Sequence, residues 1–293
     1  MFAIAKRLVA LSIEGNSLRV VSATGRTVET WDTIPFAPQF LKKGHVADPA
    51  GLGGLIRAAL AERKLSKGRI LWAHSALGTT VRILNLPPLN SKLLDGVLRR
   101  EVRRLTDGHP AQWHIRWQVL PNGNGKQRVY IVLLPRGPFT TSLRAFDAAG
   151  LKPSVIELKP MALMRAVNKR NAIIANGEAT SVDVAIVRDG VPMVIRSVYL
   201  GEDSGTIDHV VGHVGQELVQ AVSLYATDYR DNPLAPQLPV YLTGTAAGDQ
   251  TFQLAASGAI DHPVAKLHPP LRCPSDLPVA DYAVNLGLIL RAL

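Results

Sequence analysis

The stretch Leu8–Arg19 (LVALSIEGNSLR) has a counterpart 164 residues later, Ala172–Asp183 (AIIANGEATSVD). Each is an apolar run, then glycine and small or polar residues, then an alternating strand: Ser17-Leu18-Arg19-Val20-Val21 in the first copy, Ser181-Val182-Asp183-Val184-Ala185 in the second. A tight-turn dipeptide follows each, Thr24-Gly25 and Asp189-Gly190, and then another alternating strand. One hairpin opening used twice constrains the chain to two similar lobes. Such duplicated hairpins, each with a small-residue turn, have the form of two facing phosphate-binding loops in a two-lobed nucleotide cleft.

The 293 residues leave room for about two domains, and a content of 47% hydrophobic against 19% charged residues supports a full core. The only thiol, Cys273, excludes an intramolecular disulfide and sits in the Pro-rich run 268–274; it reads as an inert residue in a reducing compartment. No apolar run approaches the roughly 20 residues that a bilayer requires. Lys6 and Arg7 fall inside the first apolar run, whereas a signal peptide carries its charges in front. The expectation is a cytoplasmic protein. A net charge of +10 is consistent with anionic lipid, nucleic acid or an acidic protein as partner, or with nothing specific. The basic residues read as spread along the chain, and no nucleic-acid module signature accompanies them, so nucleic acid is not expected.

Strands are expected over Leu8–Glu14, Ser17–Ala23 and Arg26–Thr33, then a helix over Ala50–Arg63 and a buried strand at Arg69–His74. This β-β-β-α-β order is the opening of a ribonuclease-H-like, actin-type half, so the fold class is α/β, with residues 1–83 as its first lobe. Residues 84–150 interrupt the pattern and read as an inserted α/β subdomain. Its parts are a helix at Ser91–Leu105, strands at Trp113–Leu120 and Arg128–Leu134 around a hairpin at 121–125, and a helix at Thr140–Ala149. Residues 151–171 return to the first lobe, with a strand at Ser154–Leu158 and a helix at Met161–Asn168. Residues 172–278 form the second lobe, with a long helix at Gly205–Tyr229 and a strand at Val240–Leu242. A helix at Val279–Ala292 closes the chain, with residues 279–293 packing back onto the first lobe.

The turn Gly15-Asn16-Ser17 would offer backbone N–H groups and a hydroxyl to a phosphate, and Gly177 with Thr180 and Ser181 would offer the same from the facing lobe. The loop Thr243–Gly248, holding Gly244 and Thr245, is where a base or ribose would pack. Hydrolysis would also need carboxylates for Mg²⁺. Ser12 and Ala175-Asn176 stand at the two strand ends where acids belong, and the nearby Glu14 and Glu178 read as polar turn residues. Asp183 and Asp203 are the only candidates for a kinase-type catalytic acid. The pair His209/His213 lacks any His-Glu-x-x-His context, so no metal site is expected. The helix Ser91–Leu105 carries an apolar stripe (Leu94, Val97, Leu98, Val102, Leu105) beside Arg99, Arg100, Arg103 and Arg104, either an ordinary solvated face or a docking face.

These segments, taken in order, resemble the PilM family, the actin-like cytoplasmic component of type IV pilus assembly and competence systems, related to FtsA. Ser12-Ile13-Glu14-Gly15-Asn16-Ser17-Leu18-Arg19 fills the place of its first turn, D/E-I-G-x-S-x-(L/V)-K. Arg82-Ile83-Leu84-Asn85-Leu86-Pro87-Pro88-Leu89 looks like R-x-I-x-L-P-x-L, Leu242-Thr243-Gly244 like L-(S/T)-G-G, and Tyr282 to Leu288 like the closing Y-x-x-a-x-G-L. The resemblance implies ATP as the nucleotide, with Mg²⁺ only alongside it, held by Ser12, Gly15, Asn16, Ser17, Arg19, Gly177, Thr180, Ser181, Gly244 and Thr245. It also implies docking of the short cytoplasmic tail of an inner-membrane PilN-like protein, with pilus assembly or motor proteins as further partners. The membrane is then reached only through that partner. Pro87 and Pro88 cannot donate to a ladder and mark an edge, so Leu84 and Leu86, with Arg99 and Arg103, are expected to receive the tail. Ser12 and Ala175 stand where the family has acids, and Thr245 where it has glycine, so ATP hydrolysis is not expected. The alternatives are an active ATPase or sugar-kinase-like enzyme of the same superfamily, or the cytoplasmic piece of a type II secretion system.

Overall fold

The structure, a computed structural model, describes residues 6–106, 109–121, 126–201 and 207–293. It separates into two units, Met1–Leu77 with Thr141–Leu293, and Gly78–Thr140. The first unit opens with β1 (Leu8–Glu14), β2 (Ser17–Thr24), β3 (Thr27–Pro35), two short strands β4 (Leu41–Lys42) and β5 (His45–Val46), α1 (Pro49–Glu62) and β6 (Arg69–His74). The second unit holds β7 (Thr80–Leu86), α2 (Ser91–Leu105), β8 (Trp113–Val119) and β9 (Gln127–Pro135). The chain continues through α3 (Arg136–Ala149), β10 (Val155–Leu158), α4 (Lys159–Val167), β11 (Ala172–Glu178), β12 (Ser181–Arg188) and β13 (Val191–Tyr199). It ends with α5 (Ile207–Asp228), β14 (Val240–Thr243), α6 (Gln250–Ala259), β15 (Val264–Ala265) and α7 (Ala283–Ala292).

The duplication extends to register. β1 pairs with β2 from Leu8↔Ala23 to Glu14↔Ser17, and β11 with β12 from Ala172↔Val187 to Glu178↔Ser181. Even the bulges correspond, falling after Ser22 in one copy and after Ile186 in the other. The sheet orders β10-β6-β1-β2-β3 and β15-β14-β11-β12-β13 match strand for strand, with β6 and β14 each parallel to the first strand of its copy. This is the duplicated, actin-like α/β architecture. At the same offset Asn176, not Ala175, is the counterpart of Ser12. Ala175 belongs to the next face of the strand, because neighbouring strand residues point to opposite sides.

Odd-numbered β1 residues Val9 and Leu11 face α1 with Leu52, Ile56, Trp72 and Phe146. Even-numbered Leu8 and Ala10 face α4 and α7, in a core that also takes Ile174, Ala185 and Val187 from the second lobe. Both sheets therefore lean on one helical pair, and polar residues at the strand ends on these faces are carried into the interior between the lobes. α4 and α7 approach so closely that a Cβ on Gly287 would collide with the Ala162 carbonyl.

Several elements depart from expectation; α7, for one, begins at Ala283 rather than Val279. α3 starts at Arg136, ahead of Gly137-Pro138, because proline in a first helical turn sacrifices only an N–H that has no partner there anyway. The sequence reading has no element for Gln250–Ala259, which forms α6 behind an Asp249 cap on the Phe252 N–H. The inserted unit is Gly78–Thr140 rather than 84–150. A limit at residue 84 would cut β7, which pairs with β9 along its whole length, and Ala145, Phe146 and Ala149 of α3 belong to the α1 core. The expected hairpin tip at 122–125, the first residues of the expected helix at 205 and 206, and Asp203 lie outside the described residues.

Candidate functional site

The two hairpin turns meet. A Cβ built on Gly15, whose φ is +56°, would lie 3.8 Å from the Cβ of Ala179. The strand ends behind them carry charge into the interior. Glu14 ends β1 and Glu178 ends β11, and they are 4% and 2% exposed. Neither is a polar turn residue: each is the last inward-facing position of its strand, and the opposite lobe covers it.

Arg19 on β2 reaches across to Glu178, with both Nη atoms bonded to its two carboxylate oxygens at 2.8 and 2.9 Å. Its guanidinium also donates to the Asp281 carbonyl and lies 5.7 Å from the Tyr282 ring centroid. The symmetry-related pair would be Asp183, counterpart of Arg19, against Glu14, counterpart of Glu178. Two carboxylates would repel there, and Lys159 resolves the conflict. Its ammonium, from the first turn of α4, lies 2.7 Å from Glu14 Oε2 and 3.3 Å from Asp183 Oδ2. Asp183 is further held by Ser197 Oγ at 2.5 Å and Asn176 Nδ2 at 3.3 Å, and Glu178 by Thr245 Oγ1 at 3.2 Å.

Two cations and three carboxylates thus share one buried site, leaving one negative charge in excess. Burial is the largest influence on Glu14, and Glu178 adds to it against the opposing pull of Lys159 and Arg19. Together they raise the Glu14 carboxyl from 4.5 to about 7. For Lys159 burial alone would lower the ammonium, but Asp183, Glu14 and Glu178 outweigh it and hold the group well above its ordinary value. Glu14 Oε1 and Arg19 Nε have no hydrogen-bond partner among the described residues.

The sequence-named residues distribute around this cluster. Ser12 is fully buried and donates to Asn285 Oδ1 at 3.0 Å; Asn285 in turn donates to the Ala10 and Arg19 carbonyls. Ser12 is thereby a structural contact to α7, not a group facing ligand space. The Asn16 carbonyl accepts from Phe36 N–H at 2.9 Å. Ser17 is half-buried at the start of β2. Gly177 is packed against Phe252, where a Cβ would come within 2.6 Å of the ring, and a Cβ on Gly244 would strike the Gly177 carbonyl.

Gly15, Thr180 and Ser181 line a cavity of ≈ 50 Å³ together with Lys159 and His74. Ligand pockets for drug-sized molecules run to several hundred Å³. His74 at its wall is pushed down to about 4 by burial and by His45. The carboxylates that would face a metal already hold an ammonium, so this donor set fits an internal ion pair rather than Mg²⁺ with a triphosphate. A larger cavity of ≈ 580 Å³ lies between the Ala247-Gly248 end of the β14 loop and residues 264–268 and 278–281, and no hairpin-turn residue lines it.

In the second unit, Leu84 and Leu86 pack against the core made by Leu94, Leu98 and Val102 of α2 with Val129, Ile131 and Leu133 of β9. They point under α2 rather than outward. Arg99 pairs with Asp95 at 2.8 Å, and Arg103 is exposed. Sequence reasoning missed Lys159 and Asn285. A lysine within Leu158-Lys159-Pro160-Met161, at a helix N-terminus that disfavours positive charge, was the available signal for a buried counter-charge.

The fold and the paired strand ends define the class: this is an actin-like protein with two lobes closed on a central ionic cluster. In particular it has the fold of PilM. A solved "PilM-PilN type IV pilus biogenesis complex" superposes over 97% of this chain and 98% of that one, with a TM-score of 0.79 and 20% identity. The ethanolamine utilization protein EutJ from Carboxydothermus hydrogenoformans matches with a TM-score of 0.56 and 14% identity, over 97% of this chain and 89% of that one. The cytoplasmic domain of EpsL, an inner membrane component of the type II secretion system of Vibrio cholerae, matches at 0.51 with 12% identity, over 98% and 93%. No protein-family model and no curated sequence matches the chain. Among the described residues, no helix is long and apolar enough to cross a membrane.

Proposed function

We propose that this chain is a cytoplasmic scaffold of a type IV pilus assembly machine, peripheral to the inner membrane. It docks the short cytoplasmic tail of a PilN-like membrane protein and holds nucleotide weakly or not at all. The observation that carries this reading is the internal clamp: Arg19–Glu178 and Glu14–Lys159–Asp183 join the lobes where a nucleotide's phosphates and metal would otherwise do so. A closure made by the chain's own side chains does not wait for ATP, which suits a fixed adaptor. An ATPase or kinase reading would need a free carboxylate, and of the two candidate acids Asp183, the one among the described residues, is committed to Lys159, Ser197 and Asn176.

For the tail, β7 stands at the edge of the order β7-β9-β8, where an extended peptide gains main-chain hydrogen bonds. Leu84 and Leu86 then support the edge from beneath, while Arg99 and Arg103 supply charge. The likeness to PilM, whose solved structure is a complex with PilN, supports the choice of partner. The test is an anisotropy titration of the cytoplasmic tail peptide of the PilN-like protein encoded in the same genome, with and without ATP and Mg²⁺. Equal, saturable binding in both conditions is expected, weakened at least tenfold by Arg99→Glu with Arg103→Glu. No binding, or binding that requires ATP, overturns the proposal. If the tail of a secretion-system protein binds in its place, the EpsL-like reading replaces this one.

A further inference from the structure

The basic residues are not spread evenly. Gly78–Thr140 contains ten Lys and Arg against three Asp and Glu, so this small unit carries seven of the chain's net +10 charges. Eight of the ten are arginines. On α2, Lys92, Arg99, Arg100, Arg103 and Arg104 are exposed, opposite the buried stripe of Leu94, Leu98 and Val102. Arg99 and Arg104 have acidic neighbours on their own helix, Asp95 and Glu101, whereas Arg100 and Arg103 have no ion-pair partner among the described residues.

Apolar residues break through the same side. Leu93, in the first turn of α2, is 58% exposed. Trp113 and Ile115 of β8 pack into the α2 core, so alternation places Trp117 and Val119 on the α2 side of the sheet. Each of these two is 39% exposed. Charge with interleaved Leu, Trp and Val is the composition of a surface that lies at a bilayer interface: guanidinium groups meet phosphates and the apolar side chains enter the boundary layer. An acidic protein or nucleic acid would match the charge but would leave the exposed Leu93 and Val119 without a use.

We propose that the α2 side of this unit binds anionic lipid headgroups directly. This goes beyond the scaffold reading and does not depend on it: the membrane is met by the chain itself as well as through a partner. Each basic residue near an anionic surface is worth about a fivefold gain in binding, lost as salt screens it.

The experiment is sedimentation of the full chain with vesicles of phosphatidylcholine alone or with ~30% phosphatidylglycerol, followed by Trp fluorescence. Binding to the anionic vesicles only is expected, with a blue shift that Trp117→Phe reduces. Arg100→Glu with Arg103→Glu should weaken binding by at least ~20-fold, and Leu93→Ser with Trp117→Ser by about threefold or more. All four positions are exposed, and circular dichroism checks that the variants fold. No anionic binding, equal binding to neutral vesicles, or unchanged binding in the Arg100/Arg103 variant overturns the proposal. So does displacement from vesicles by stoichiometric polyglutamate or duplex DNA, which would make the face a site for an acidic protein or for nucleic acid.

Discussion

Replacing Lys159 by Met removes the ammonium while keeping most of the side-chain volume, so the effect isolates charge from packing. In the native chain that ammonium lies 2.7 Å from Glu14 and 3.3 Å from Asp183, with all three groups nearly inaccessible to water. Removing one partner of a buried ion pair strands the other, at a cost of about 3–5 kcal/mol. Here two carboxylates are stranded together, with Glu178 close by, so the upper end of that range applies at pH 8. Near 2–4 °C per kcal/mol for a body of this size, the melting temperature of the first unit should fall by roughly 10–20 °C. Differential scanning calorimetry at pH 8 and pH 5 is the assay. The deficit should shrink at pH 5, because the freed carboxyl groups protonate and no longer repel. A fall below about 2 °C at pH 8, or a deficit that does not change with pH, would refute the placement of Lys159 as the counter-ion of the two hairpins.

Glu14→Gln tests the proton in that cluster. With a folded value of about 7 against 4.5, Glu14 holds its extra proton in the folded state between those limits. Its contribution is complete below about pH 4.5 and is lost as pH rises through 7, an effect on the order of 3 kcal/mol. Gln imitates the protonated form, so the variant's stability relative to wild type, read from urea midpoints, should rise steadily between pH 5 and pH 8; a constant difference would contradict the shift. Asn285→Ala breaks bonds to Ser12, Ala10 and Arg19 and leaves buried groups unpaired, and chemical denaturation should show a loss of about 2–4 kcal/mol. Ser12→Ala removes one of those bonds and should cost about 1 kcal/mol. Gly287→Val drives a side chain into the Ala162 carbonyl, and soluble expression should be lost or the melting temperature fall well beyond the Asn285 variant.

The repeat itself was legible because both its signals are local. Alternation and turn residues place β1–β3 and β11–β13, and the apolar stripe places α2, whose bounds agree with the expected Ser91–Leu105. What sequence missed is of two kinds. The expected helix begins at Thr140, four residues late, because Gly137-Pro138 sits in a first helical turn, where neither residue is costly. The ionic cluster, in contrast, depends on contacts between residues 145 and 159 positions apart, Lys159 with Glu14 and Arg19 with Glu178, which no periodicity encodes. Glu14 and Glu178 therefore looked like turn residues, although their alternation with Ser12 and Asn176 already placed them on inward faces. Counting charge over the whole chain likewise concealed its concentration in Gly78–Thr140.

On the proposed scaffold function, Arg19, Lys159 and their carboxylates take the place of a nucleotide's phosphates and metal. Isothermal calorimetry of the purified chain with ATP and Mg²⁺ tests it most directly. No saturable heat is expected up to about 1 mM nucleotide, a free energy of binding weaker than ~4 kcal/mol. Saturable binding with a micromolar Kd that Thr180→Ala abolishes would contradict it, because the phosphates would then lie at the hairpin turns, where the cavity is ≈ 50 Å³ and the ion pairs are buried.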